Sequence, residues 1–543
     1  MSGAHLVTDA LQRAGITTIF SLSGNQIMPV YDACIDAGIR IVHVRHEAAA
    51  VYMADAWAQL TGQVGVALLT AAPGIMNGLS PVFSAKLGES PVLVLSGDSP
   101  VAQDGMGAFQ ELEQIDISRK LVKESLRLNR LEDIDTQLCS AMTLALSGRQ
   151  GPVHVAMPFD LLTASSESIT VKRGSAPTRQ RQALAEKDVD DIAQRMARAE
   201  KPLILLGPQN NASRARSLHE KAGALQTPLI AMESPRGLRD PSLGNMQQLL
   251  KEADLILMMG KALDFSLNFG RGADMNPSAD IIVVDPEEAM LARADRLLGE
   301  RLYKRFQADA DAALEQLIRQ TSAVNRDAWV AHVRQALDNR ELAGVEQSRS
   351  DSQLADPTTI CRQVQTVLDE AKDPILICDG GEFGQWAQGF CQAPTRIING
   401  MSGAIGGGLC YAIAAAIARP DATIVALMGD GTVGFHCMEF ETAAREGAAF
   451  TAVVGNDSRW NAEYMIQMRD YGPERLYGCT LSERVRYDQT AESLGARGLL
   501  VEQPEGISTA LQTAVESKSA VCVNIIMEGW AAPKYEISQF TAT

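Results

Sequence analysis

The chain of 543 residues is short of aromatic side chains, which make up 5%, and it has only seven histidines. Its nine cysteines, from Cys34 to Cys522, stand singly with no C-x-x-C pair. That spacing excludes a disulfide framework and a cysteine zinc site, and it predicts a protein of the reducing cytoplasm. Positive charge is also short: 49 Lys and Arg against 66 Asp and Glu leave a net charge of −17. A surface of that sign has no electrostatic footprint for nucleic acid or anionic membranes. The longest run of small and apolar residues, about Gly406–Ala418, falls short of the roughly 20 needed to span a bilayer. The opening segment, MSGAHLVTDALQRAG, reads as an amphipathic helix rather than a signal peptide. What the chain does have is ordinary globular stock, 46% apolar and 21% charged residues. At roughly 100–200 residues per domain its length predicts about three domains.

Along the chain, helical and strand-like segments alternate, the pattern of parallel sheets covered by helices. In the first block the predicted strands are Thr18–Ser21, Ile39–Val44, Val64–Thr70, Pro91–Ser96 and Val153–Met157, with a helix over Glu47–Leu60. A Ser-, Thr- and Arg-rich stretch, Ala164–Gln182, reads as a linker. The second block has strands at Leu203–Leu206, Leu229–Met232, Leu255–Met259 and Ile281–Val284, and ends in a polar linker near Arg340–Asp356. The third begins at Pro357, with strands at Ile375–Cys378, Thr423–Met428, Thr451–Gly455 and Val521–Ile526. The expected domains are therefore 1–165, 183–340 and 357–530, followed by a tail over 531–543 that could act as a lid.

The chemistry concentrates at strand ends of the third block. Thr423–Met428 runs into Gly429-Asp430-Gly431-Thr432, and Thr451–Gly455 runs into Asn456-Asp457-Ser458. Consecutive strands of a parallel sheet present their carboxyl ends at one edge, where ligands of such sheets bind. Asp430 and Asp457 are predicted to converge there. Two carboxylates with carbonyl and phosphate oxygens suit Mg2+, and glycines beside Asp430 let backbone N–H groups approach a phosphate.

Gly429-Asp430-Gly431 followed by Asn456-Asp457 resembles the binding motif for thiamin diphosphate. Arg45-His46-Glu47-Ala48-Ala49-Ala50 resembles the cofactor-activating segment of the acetohydroxyacid synthase, benzaldehyde lyase, 2-hydroxyacyl-CoA lyase and oxalyl-CoA decarboxylase group. Pro73-Gly74-Ile75-Met76-Asn77, Phe109-Gln110-Glu111 and Asn399-Gly400-Met401-Ser402-Gly403-Ala404-Ile405-Gly406 resemble further segments of that superfamily, in its order. The resemblance implies an α/β fold of three domains: pyrimidine-binding, central and diphosphate-binding. It also implies a cofactor held between two subunits, and hence a homodimer or dimer of dimers.

Further roles follow from the resemblance. Glu47 bonds the aminopyrimidine, in a site where burial raises a carboxyl pKa. Pro73 and Asn77 line the same cofactor end. Gly403 and Ile405 support the thiazolium from beneath, and Gly381, Glu382 and Phe383 lie against the diphosphate. Gly429, Gly431 and Thr432 flank the Mg2+ ligand Asp430. Asp457 is the second ligand, where the family more often has Asn, and a carbonyl near Arg459 is the third. Asn25, Gln26 and Gln110 face the reacting carbon; benzaldehyde lyase carries a histidine at the place of Gln26. Trp460 and Asn461 roof the pocket. Glu463 is either an acid for the intermediate or an exposed helix carboxylate.

Simple 2-oxo-acid decarboxylases have a His-His pair that this chain lacks. Relatives bind ADP, CoA or FAD in the central domain. Here Leu206-Gly207-Pro208-Gln209-Asn210 replaces the usual glycine-rich turn, while Lys261–Gly270 looks closer to the CoA-lyase segment than to an FAD segment. The expected activity is a carbon–carbon lyase or carboligase of the 2-hydroxyacyl-CoA lyase type. The alternatives are an acetolactate-synthase-like transferase and a cofactor-binding protein without turnover.

Overall fold

Runs of β-branched and aliphatic residues bounded by Gly, Pro, Asp and Asn dominate the fold, and those at interior sheet positions become strands buried on both faces. The computed structural model describes residues 2–165, 169–320, 324–338, 353–399, 401–483 and 485–533. They form three parallel sheets flanked by helices. The first contains β1 (Thr18–Ser21), β2 (Arg40–His43), β3 (Gly65–Leu69), β4 (Val92–Asp98), β5 (Ser125–Arg127) and β6 (Val153–Pro158). Its order is β2-β1-β3-β4-β6-β5. The central sheet has β7 (Pro202–Leu206), β8 (Leu229–Ala231), β9 (Leu255–Met259), β10 (Asp280–Asp285) and β11 (Leu302–Gln307), ordered β11-β10-β9-β7-β8. The third has β12 (Pro374–Cys378), β13 (Thr395–Ile398), β14 (Thr423–Gly429), β15 (Thr451–Asn456), β16 (Arg497–Val501) and β17 (Val521–Ile526). Its order, β13-β12-β14-β15-β17-β16, repeats that of the first sheet position by position.

Four strands are additions to the sequence reading: β5, β11, β13 and β16. All lie at sheet edges. Polar residues interrupt the apolar run that marked the interior strands, and β11 exposes four of its six residues.

The outer domains share one core. Helix Glu47–Thr61 packs across helix Gly408–Ala418 within a single apolar cluster. Both are rich in alanine at the contact, which lets their backbones come close. The second helix is apolar on all sides and is buried on nearly all of them. The central domain keeps separate cores on the two faces of its sheet.

The stretch read as the first linker is a pinned strap where it is described. Arg13 donates to the Gly174 carbonyl at 2.9 Å, and Arg179 pairs with Asp311 at 2.7 Å. The third domain opens on helix Pro357–Glu370. Asp356 caps it, accepting from the amides of Thr358 and Thr359 at 2.8 and 2.9 Å. Most of the second linker, Gly400 and tail residues 534–543 lie outside the described residues. Among those described, no helix is long and apolar enough to cross a membrane, and all nine cysteines are free.

Candidate active site

At the carboxyl edge of the first sheet, β2 leads directly into helix Glu47–Thr61. The ring of His46 caps that helix, its Nδ1 accepting from the Ala48 amide at 3.1 Å. Glu47, the first helical residue, is buried at 8% exposure, and its Oε2 accepts from Asn77 Nδ2 at 3.0 Å. Asn77 lies on helix Pro73–Leu87, which Pro73 opens after Ala72 in a positive-φ conformation (φ 49°). A Cβ on Gly74 would come within 2.7 Å of Thr70 and 3.7 Å of Glu47 Oε1, so glycine is what lets this helix approach. Glu47, Pro73 and Asn77 thus share one corner.

Gln26 is buried on the turn after β1, and its Oε1 accepts from Thr70 Oγ1 at 3.2 Å. Its neighbour Asn25 is exposed. Gln110 sits on a separate loop. Glu111 ties that loop together, accepting from the amides of Gly107 and Ala108 at 2.8 and 3.0 Å and from that of Gly105. Gln110 itself is held at φ 60°, and its Oε1 is buried without a hydrogen-bond partner. A left-handed non-glycine residue and an orphaned acceptor each cost free energy, and such costs cluster at functional sites.

The edge of the third sheet is organised by a residue the sequence reading passed over, Asp379 at the end of β12. Its fully buried carboxylate accepts from the amide of Gly380 (2.7 Å), from Asn399 Nδ2 (2.7 Å) and from the amides of Gly406 (3.0 Å) and Gly408 (3.1 Å). These bonds seat the loop carrying Gly403 and Ile405. A Cβ on Gly380 would lie 2.5 Å from Ile405 Cγ2, so the two segments touch. Ile405 is half-buried and Gly403 is exposed at φ 73°. Gly381 takes φ 86° as helix Gly381–Phe390 begins. Glu382 accepts from Gln385 at 2.8 Å, and Phe383 packs at the Gly455 backbone. An Asp before two glycines at a strand end was the available signal for Asp379.

Gly429-Asp430-Gly431-Thr432 begins a short helix, Asp430–Val433, with Gly429 as its cap. Thr432 Oγ1 donates to the Gly429 carbonyl at 2.9 Å. Asp430 Oδ1 accepts from the Gly431 amide at 2.9 Å, and the amides of Ser458 and Arg459 also serve its carboxylate. Asp430 and Asp457 do converge. Burial raises the Asp430 pKa to about 6. Burial first, and then the charge of Asp430, raises that of Asp457 to about 7. Two carboxylates crowded out of water are a donor set in want of a cation. Among the described residues there is no group of three or more His, Cys, Asp and Glu that could hold a metal. An ion bound here would need carbonyl, ligand or water oxygens to complete its shell, a hard-oxygen set of the kind that suits Mg2+.

Around the pair, the Trp460 ring lies 2.7 Å from where a Cβ on Gly431 would be, and it meets Phe435 edge-on at 6.2 Å. The Arg459 guanidinium lies over Tyr464 at 4.5 Å. A Cβ on Gly529 would strike Asp457 Oδ2, Arg459 Nη1 and Asn461 Oδ1, at 2.9, 3.1 and 3.3 Å. Asn461 Nδ2 donates to the Trp530 carbonyl at 2.8 Å, while its Oδ1 is buried without a partner. Glu463 is exposed on helix Asn461–Asp470.

The central sheet has a different edge. Arg149 comes in from the first domain, pairs with Glu89 and Asp285 and donates to the Gly260 carbonyl at 3.0 Å. Glu89 also accepts from the Gln209 amide at 3.1 Å. The cavity left is about 10 Å³, the room of one water. Lys261 is buried and satisfied by Ser266 (2.6 Å) and the Ala262 carbonyl (3.0 Å).

Two outer domains with matching strand order, one presenting a buried carboxylate and the other a glycine-lined acidic pair, define a cofactor enzyme built from two halves. Family models agree across the chain. The N-terminal TPP binding domain of thiamine pyrophosphate enzymes matches residues 1–117, their central domain 189–317, and their C-terminal TPP binding domain 379–525. The chain belongs to the thiamine pyrophosphate (thiamin diphosphate) enzymes. It is 31% identical to human 2-hydroxyacyl-CoA lyase 2, over 92% of this chain and 85% of the human protein. It is 30% identical to the bovine protein of that name, over 97% of this chain and 90% of the other. With a probable acetolactate synthase of Mycobacterium bovis it shares 29% identity, over 97% and 96% of the two chains.

Proposed function

We propose that this enzyme is a Mg2+-dependent carbon–carbon lyase and carboligase that cleaves 2-hydroxyacyl-CoA to formyl-CoA and an aldehyde or ketone, reversibly. The observation that carries the reading is Gln110, whose buried Oε1 is an acceptor without a donor. A 2-hydroxyacyl thioester brings a hydroxyl donor to the reacting carbon; pyruvate brings none. The names of the human and bovine relatives support the same class.

Thiamin diphosphate, when bound, supplies the nucleophilic carbon and the electron sink. This chain's residues hold, orient and desolvate. Asp430, Asp457 and the Arg459 carbonyl hold Mg2+. Gly381, Glu382, Phe383, Gly429, Gly431 and Thr432 cradle the diphosphate. Gly403 and Ile405, seated by Asp379, support the ring. Glu47, fixed by Asn77 and flanked by Pro73, would hold the proton at its carboxyl for the aminopyrimidine end of the cofactor. Gln26 and Gln110 orient the substrate, with Asn25 at the entrance. Trp460 and Asn461 cover the metal loop, and Glu463 lies outside it. Glu47 and the acidic pair come from different subunits of a homodimer or dimer of dimers. The CoA nucleotide, if bound by the central domain, docks outside the crevice that Arg149 fills.

A transferase acting on pyruvate is the second reading, favoured by the name of the mycobacterial relative. The deciding experiment compares formyl-CoA plus an aldehyde with pyruvate alone on the same protein. Faster turnover of the thioester is expected. Brisk acetolactate formation with no response to any acyl-CoA would transfer the assignment to the second reading.

A further inference from the structure

Glu439 lies on helix Glu439–Glu446, nine residues beyond Asp430 on the segment that follows the metal loop. The residue is 1% exposed, yet its partners reach 394 positions back. Oε1 accepts from the Arg45 amide at 2.9 Å, and the His46 amide also serves the carboxylate. Oε2 accepts from Thr442 Oγ1 at 2.6 Å. Arg45 and His46 form the turn between β2 and helix Glu47–Thr61, and His46 caps that helix. A buried carboxylate on consecutive backbone amides makes strong, charge-assisted bonds.

Other contacts join the same two segments. Arg40 pairs with Glu446 at 2.7 Å, Arg45 lies 3.8 Å from Glu441, and Arg445 donates to the His43 carbonyl. Arg40 and Arg45 are about half exposed there, so water and salt screen their pairs. Glu439 is the member of this set that acts out of water.

We propose that Glu439 is a positioning residue for Glu47, fixing the Arg45–His46 turn from the segment that begins at Asp430. The inference rests on the reading of Glu47 as the group that activates the cofactor. It adds that the mount of Glu47 belongs to the diphosphate-binding domain of its own chain. Whatever settles the helix after Asp430 also settles the turn before Glu47.

The test compares Glu439→Ala, Glu439→Gln and Glu47→Gln in the full-length protein. Amide hydrogen exchange of the cofactor-free protein is read over residues 44–49. Glu439→Ala should speed exchange there by at least about tenfold, with the near-UV circular dichroism retained. Affinity for thiamin diphosphate with Mg2+ should stay within about threefold, since Asp430 and Asp457 are untouched. Hydrogen exchange at C2 of the bound cofactor should slow by at least about tenfold. Glu439→Gln should recover part of both effects, because an amide oxygen still accepts from Arg45. Unchanged C2 exchange in Glu439→Ala, alongside slowed exchange in Glu47→Gln, would overturn the proposal alone. Equal damage from Ala and Gln with loss of the dichroism would reduce Glu439 to a structural role and overturn it too. Unchanged C2 exchange in Glu47→Gln would bring down the underlying reading instead.

Discussion

The first and third sheets have one strand order and opposite equipment. By position, β1 to β4 correspond to β12 to β15, and every strand end that matters has a counterpart. After β1 comes buried Gln26; after β12 comes Asp379 with its glycines. After β2 comes helix Glu47–Thr61; after β13 come the Ile405 loop and helix Gly408–Ala418. After β3 comes Pro73; after β14 comes Asp430. The two helices at the second position pack on one another, and Tyr411 donates to buried Asp55 across them at 2.9 Å. One scaffold therefore presents a lone buried carboxyl suited to proton transfer, and also a glycine-lined acidic pair suited to a cation and a polyanion. The strand order decides where the edge is, and the few residues at the edge decide its chemistry.

The comparison can be broken at several points. The largest effect is expected at the sheet outside the pattern. Arg149→Met leaves Asp285 buried without its cation and Glu89 with the neighbouring Arg214, and stability should fall by about 3–5 kcal/mol; denaturant titration measures it, and a loss under 1 kcal/mol (about one surface ion pair) would show that the crevice is not closed by charge. On the third sheet, Asp430→Ala should weaken thiamin diphosphate binding by at least about 100-fold, read by calorimetric titration with Mg2+. On the first sheet, Glu47→Gln should keep the fold and the affinity but slow C2 hydrogen exchange by at least about 10². If Glu47→Gln lost affinity while Asp430→Ala kept it, the division of labour would be reversed.

A smaller effect separates the cores. His154 on β6 is wholly buried and bonded to Ser96 at 2.8 Å, and burial lowers its pKa from 6.5 to about 4. The unfolded chain takes up this proton first. The contribution to stability is therefore complete above about pH 6.5 and is lost as the pH falls toward 4. By pH 5.5 the loss should reach about 1.4 kcal/mol. The equivalent strand β17 has no histidine; its buried polar residue is Asn524, which does not titrate and accepts from Asn456 at 3.1 Å. In His154→Gln the stability curve should flatten between those pH values; an unchanged slope would place the acid sensitivity elsewhere. The smallest effect is expected for Asp457→Asn, which keeps a carbonyl oxygen at the metal. Its cofactor affinity should stay within about tenfold of the parent, and a severe loss would show that the second charge is required.

Much of this was legible in the chain. Interior strands such as Leu255–Met259 and Val521–Ile526 appear in the sequence with the limits they have in the fold, because strands buried on both faces must be apolar throughout. The alternation of such strands with helices determined three parallel sheets. Asp430 and Asp457 could be paired from sequence because parallel strands bring their carboxyl ends to one edge. Tertiary structure alone decided the rest. Edge strands β5, β11, β13 and β16 owe their state to a neighbour rather than to their own composition. Asp379, Glu439 and Arg149 read as ordinary charged residues. Their importance comes from partners far along the chain and from removal from water, which makes an unmatched charge costly and a matched one directional. Neither the partner nor the burial is written in the local sequence; packing supplies both.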